Sequence, residues 1–162
     1  MKGKILIVGA VLITLAIIVG GVLLVVKSGP SQLTVTQEVE VEVPETSYDW
    51  GEIGINDGIV QKTFLIKNSG SAPLQLNNVV TSCMCTTATL SIDGQVSPAF
   101  GMHAKSGWLG TVAPGEAAAL VVEFDPAFHG PSGVGVISRQ ITLNTNDSNQ
   151  PQLTFNLTAK VI

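Results

Sequence analysis

The chain has 162 residues and a formal net charge of −4. Residues 28–162, one domain's worth, hold 12 acidic and 5 basic side chains, a net of −7. A surface of that sign repels phosphate backbones, which argues against nucleic acid as a partner, and no polybasic stretch or solenoid-length repeat offsets it.

The first predicted element is a helix. Ile5 to Val26 gives 22 consecutive positions without a charge, behind Met1-Lys2-Gly3-Lys4 and ahead of Lys27-Ser28-Gly29-Pro30. At about 1.5 Å per residue it reaches roughly 33 Å, enough for a hydrocarbon core of about 30 Å. A cleavable signal peptide has a shorter apolar core and a small-residue cleavage site, and Val25-Val26-Lys27-Ser28 offers no such pattern. Residues 1–27 are therefore read as an uncleaved signal-anchor that meets the membrane through residues 5–26. Lys2 and Lys4 precede the span and Glu38, Glu40 and Glu42 follow it, so the N-terminus is expected in the cytoplasm and the domain outside it.

After a linker with a possible first strand over 28–45, the rest reads as β. Strands are expected at 33–43, 60–67, 73–80, 118–124, 136–145 and 153–161. In Leu153-Thr154-Phe155-Asn156-Leu157-Thr158-Ala159-Lys160-Val161 the apolar residues hold every second position, which puts one face on a core and the other in water. Glu38, Glu40 and Glu42 alternate with Val39, Val41 and Val43 in the same way, and charges of that kind keep an edge strand from pairing with neighbours. Asn68-Ser69-Gly70-Ser71, Ala113-Pro114-Gly115-Glu116 and Asn144-Thr145-Asn146-Asp147-Ser148 supply turns between strands. About seven strands at this spacing predict an all-β, immunoglobulin-like β-sandwich over 46–162. Its stability must come from packing, because Cys83 and Cys85 are too close in sequence to bridge two sheets.

Tyr48-Asp49-Trp50-Gly51-Glu52-Ile53, Phe64-Leu65-Ile66-Lys67-Asn68-Ser69-Gly70, Pro73-Leu74, Thr81-Ser82-Cys83-Met84-Cys85-Thr86, the Pro114-Gly115 turn and Thr145-Asn146-Asp147 follow one another in order. Together they resemble the bacterial domain of unknown function fifteen seventy-three, an immunoglobulin-like module related to the Hydin and abnormal-spindle domains. The resemblance covers roughly residues 46–161 and implies a sandwich with an exported binding or scaffolding role; it implies no reaction. Two departures stand out: Met84 replaces the family's frequent Gly between the cysteines, and a longer connection runs from about Leu90 to Thr111. Long connections are often functional, and this one carries Phe100-Gly101-Met102-His103 and Trp108.

Cys83-Met84-Cys85 is the sharpest chemical feature. In an extended segment both thiols project to one side. A disulfide between them closes a very small ring and is easily reduced. Thiolate, thioether and imidazole are donors that suit a copper ion, and Cys83, Cys85, Met102, His103 and His129 are the candidate metal ligands. Buried, inert thiols are the plain alternative. His103 and His129, with Ser97, Ser106, Ser132, Asp93 and Asp125, raise hydrolase chemistry, but no nucleophile-elbow signature accompanies them. Asn146-Asp147-Ser148 and Asn156-Leu157-Thr158 match the short glycan-acceptor pattern. Trp50 and Trp108 are expected to pack.

The sequence thus points to a membrane-anchored extracytoplasmic module, non-catalytic, that holds an unidentified protein or cell-envelope partner. The rival readings are a copper-handling or thiol-redox protein built on Cys83 and Cys85, and a structural subunit assembling by strand addition.

Overall fold

The computed structural model describes residues 13–15, 33–103 and 107–162. The chain divides into two compact units, Met1–Ser31 and Gln32–Ile162. In the first, Ile13, Thr14 and Leu15 are helical. The rest of the span expected at residues 5–26 lies outside the described residues, and among the described residues no helix is long and apolar enough to cross a membrane.

The second unit is a sandwich of two five-stranded sheets. One sheet orders β1 (Val41–Glu42), β3 (Val60–Asn68), β8 (Ala117–Phe124), β5 (Thr86–Ile92) and β6 (Gln95–Val96). The other orders β2 (Ser47–Ile53), β10 (Gln152–Val161), β9 (Gly135–Thr145), β4 (Leu74–Thr81) and β7 (Leu109–Val112). Neighbours run antiparallel except β2, which lies parallel to β10. The only other regular element among the described residues of this unit is a short 3-10 turn, Gly130–Gly133.

Alternation in the sequence becomes burial in the fold. Leu153, Phe155, Leu157, Ala159 and Val161 of β10 point into the core, as do Ala118, Leu120, Val122 and Phe124 of β8. Phe64 and Phe155 meet across the two layers with ring centroids 4.9 Å apart. Each of the Val, Leu and Phe side chains contributes about 1.5–3 kcal/mol on leaving water, and this face-to-face packing holds the layers together.

Among the described residues ten strands replace the expected seven, and the differences have physical causes. Over 33–43 only Val41–Glu42 pairs as a strand, against β3; Val39 and Val41 are nonetheless buried, so the alternation is kept although most of the ladder is not. The connection from Leu90 to Thr111 is not one open loop. Asp93 and Gly94 both adopt positive φ, 48° and 73°, and turn β5 tightly back into β6. Phe100 then docks on Ala88 through a reciprocal pair of backbone hydrogen bonds of 2.8 and 2.9 Å, and its ring packs on Trp108 at 5.4 Å.

The late turn is tied down from inside. Asp147 is buried and its carboxylate accepts from the backbone N–H of Val41 at 2.9 Å and of Asn149 at 2.7 Å. Asn146 accepts from Gln75 N–H at 2.7 Å and donates to the Pro73 carbonyl at 3.1 Å. These bonds satisfy backbone groups that burial would otherwise leave unpaired. They also commit Asn146, at 2 % exposure, to the interior, where no glycan reaches it.

Candidate functional site

The Cys83-Met84-Cys85 segment forms the connection between β4 and β5. It is a tight turn and not the extended segment expected. The Thr86 N–H donates to the Cys83 carbonyl at 3.2 Å, and the Thr81 hydroxyl is shared between the carbonyls of Cys83 and Thr86, 3.0 Å from each. Neighbouring strands clamp both sides. Ser82 exchanges two hydrogen bonds of 2.9 Å with Gln140 of β9, and Asp125 N–H donates to the Cys85 carbonyl at 3.0 Å.

Within that turn Cys83 and Cys85 form a disulfide, with Cα atoms 5.3 Å apart. The two sulfurs differ in surroundings. Cys85 is 3 % exposed and belongs to a core cluster with Ile53, Phe124, Ile137, Ala159 and Val161, whereas Cys83 is only partly buried and packs at the cluster's margin. Trp50 covers the same cluster and stacks on Phe124 at 5.8 Å.

A cation stands against the buried sulfur. The Nε–H of Arg139 donates to Cys85 Sγ at 3.1 Å, while its guanidinium carbon lies 5.5 Å from the centre of the Phe124 ring. Burial lowers the pKa of Arg139 from its ordinary value, because the charged form loses hydration. The group remains a cation at neutral pH, since arginine starts so high. Arg139 escaped the sequence reasoning, although a signal was there: in β9, Ile137, Arg139 and Ile141 share one strand face, so a charge sits in an inward row.

An imidazole stands against the other sulfur. His129, the residue before the 3-10 turn, places Nε2 at 3.4 Å from Cys83 Sγ. Its ring meets Phe128 edge-on at 5.0 Å. The ligand atoms of Cys83, Cys85 and His129 all fall within 4.8 Å of one another. His103 is not part of that group; it lies exposed on the turn after Phe100, beside the half-buried Met102. Of the four Cys and His ligands expected, the fold gathers these three.

The hydroxyls named for hydrolysis are occupied with backbone. Ser132 Oγ donates to the His129 carbonyl at 2.7 Å, and Ser97 Oγ donates to the Pro98 carbonyl at 2.8 Å. Asp125 accepts from Ala127 N–H at 2.9 Å. Ser106 lies outside the described residues. Beside the disulfide, Ile59, Met84 and Phe128 are exposed apolar side chains that rim a shallow cavity of about 220 Å³, with Glu123 and Asp125 on its wall.

Comparison with known proteins places this architecture. The family model described as HYDIN/CFA65/VesB-like, Ig-like domain matches residues 39–160. A search of curated proteins finds no match. Among solved structures, a protein of unknown function from Porphyromonas gingivalis W83 is similar, with 21 % identity and a TM-score of 0.59; the match covers 82 % of this chain and 51 % of that one. The chain thus spans about half the length of that protein. PapD-like domain 7 of human CEP192 aligns at 14 % identity and TM-score 0.47, over 83 % of this chain and 92 % of that one. The Vibrio cholerae VesB protease aligns at 11 % identity and TM-score 0.45, over 76 % of this chain and 32 % of that one. At these identities the likeness is one of fold.

Proposed function

The chain belongs to the HYDIN/CFA65/VesB-like Ig-like domain family, and from that premise we propose that it is a non-catalytic binding or scaffolding module. Within the family we place it with the bacterial domain of unknown function fifteen seventy-three, on the ordered motifs from Tyr48 to Asp147. Residues 5–26 anchor it to the membrane, its N-terminus is cytoplasmic, and the sandwich faces outward. The disulfide supports that placement, because such bonds persist in oxidising compartments.

One observation carries the binding role. The Ser97 and Ser132 hydroxyls are tied to backbone, whereas Ile59, Met84 and Phe128 stand exposed together around a shallow cavity. Clustered exposed apolar side chains with an acidic wall fit a protein surface in the cell envelope. A photo-crosslinking residue at Met84 in native membranes tests this, with Asn149 on the late turn as control. A saturable adduct at position 84, absent at 149 and lost in Phe128→Asp, is expected. Equal labelling at both positions, or none at either, overturns the assignment. Protease protection of residues 40–162 in intact cells overturns the orientation.

A second reading has its own observation. Once the disulfide is reduced, Cys83, Cys85 and His129 offer two thiolates and an imidazole within 4.8 Å, a donor set that suits a copper(I) ion. Stoichiometric copper(I) uptake by the reduced chain, lost in Cys83→Ser, supports it; no uptake refutes it.

A further inference from the structure

We propose that the Cys83–Cys85 bond is a thiol–disulfide exchange site with a built-in direction: an incoming thiolate attacks Cys83, and Cys85 is the leaving group. The inference goes beyond the binding role and does not depend on the anchor or on the partner. It accounts for a bond with little structural purpose. A disulfide stabilises by closing a loop in the unfolded chain, and the effect grows with loop length. Here the loop encloses only Met84, so the constraint is close to the smallest a disulfide imposes.

The asymmetry of the site sets the direction. Cys83 is the partly exposed sulfur, and Cys85, at 3 % exposure, is shielded from an incoming group. Exchange is faster when the departing thiol has a low pKa. The Arg139 Nε–H at 3.1 Å, with the Thr86 hydroxyl at 3.7 Å, stabilises negative charge on Cys85 Sγ. His129 Nε2, 3.4 Å from Cys83 Sγ, is placed to accept the proton of the arriving thiol. The attacker is a thiolate, from a small thiol such as glutathione or from a protein dithiol.

The chemistry balances in two steps. In the first, the thiolate forms a bond to Cys83 Sγ, the Sγ–Sγ bond breaks, and its electron pair leaves on Cys85 as a thiolate paired with Arg139. In the second, another thiol of the same class attacks the donor sulfur of the mixed disulfide. Cys83 is released and takes a proton from His129, and the Cys85 N–H, 3.3 Å from Cys83 Sγ, is positioned to help carry its charge. Two electrons and one proton have then passed to the chain, Cys85 stays a thiolate beside Arg139, the second thiol's proton goes to solvent, and the donor leaves as a disulfide.

The test begins without any substitution. The oxidised full chain in detergent is mixed with reduced glutathione, quenched with acid at early times, alkylated, and sequenced by fragmentation mass spectrometry. Glutathione on Cys83 with alkylated Cys85 is expected. Glutathione on Cys85, an even mixture, or no adduct until the protein is unfolded overturns the proposal. Arg139→Gln is expected to slow adduct formation about tenfold, the equivalent of one charge-assisted hydrogen bond. Partial recovery of the rate is expected in Arg139→Lys, which keeps a cation beside Cys85. An unchanged rate in a folded Arg139→Gln protein would equally refute it. Repeating the reaction with a Cys-x-x-Cys peptide separates the two thiol sources: whichever reacts faster at equal thiolate concentration is the physiological class.

Discussion

Replacing Gly70 by Ala tests whether the stretch from Glu38 to Val41 is truly part of the sandwich. Gly70 does not have a positive φ; what it provides is room. A Cβ there would lie 2.5 Å from the Glu38 carbonyl oxygen, 2.5 Å from the Glu40 nitrogen and 2.9 Å from the Val39 Cα. All three are backbone atoms, so no rotamer change relieves the clash. The segment must move outward, and it would release the 2.8 Å hydrogen bonds from Ser69 N–H to the Glu40 carbonyl and from Ser71 N–H to the Glu38 carbonyl. Two such bonds are worth about 1 kcal/mol each, and partial exposure of Val39 and Val41 adds about 1.5 kcal/mol. The expected loss is therefore about 3.5 kcal/mol, which for a unit of about 130 residues lowers the Tm by roughly 13 °C. Urea and thermal unfolding followed by tryptophan fluorescence would measure it, since Trp50 and Trp108 are both packed against the core. Gly101→Ala is the control, because its Cβ would meet nothing within 4 Å. A loss under about 0.5 kcal/mol in Gly70→Ala, or an equal loss in the control, refutes the reasoning.

Other outcomes follow from the same geometry. Asp147→Ala leaves the buried N–H of Val41 and the more accessible N–H of Asn149 without their acceptor and is expected to cost about 2–3 kcal/mol in urea unfolding. Phe155→Ala removes the ring that meets Phe64 at 4.9 Å, and a loss of about 3–5 kcal/mol is expected by the same assay. Lys160→Ala breaks a 2.7 Å ion pair with Glu52, but both side chains are more than half exposed, so the midpoint should move by less than about 0.5 kcal/mol.

The period of the sequence says which way a side chain points, and for this chain that was enough for the fold class. The inward rows of β8 and β10 were legible because a two-residue alternation has one interpretation when one face is buried. The β5–β6 hairpin was missed, because Leu90 to Thr111 was read as one connection although Asp93-Gly94 is a hairpin-turn dipeptide. β2 was harder. Tyr48-Asp49-Trp50-Gly51-Glu52 is mostly polar and exposed, so nothing in its pattern separates it from a loop until parallel pairing with β10 supplies its hydrogen bonds.

The residues themselves determined an all-β sandwich and a lone pair of cysteines one residue apart, since composition and alternation are properties of short windows. Only the tertiary structure decided which groups meet that pair. His129 arrives from 46 positions downstream and Arg139 from 54, while Met102 and His103 lie on a different turn. Spacing along the chain carries no such information, because the distance between two loops is set by the strands that pair and the layers that pack beneath them.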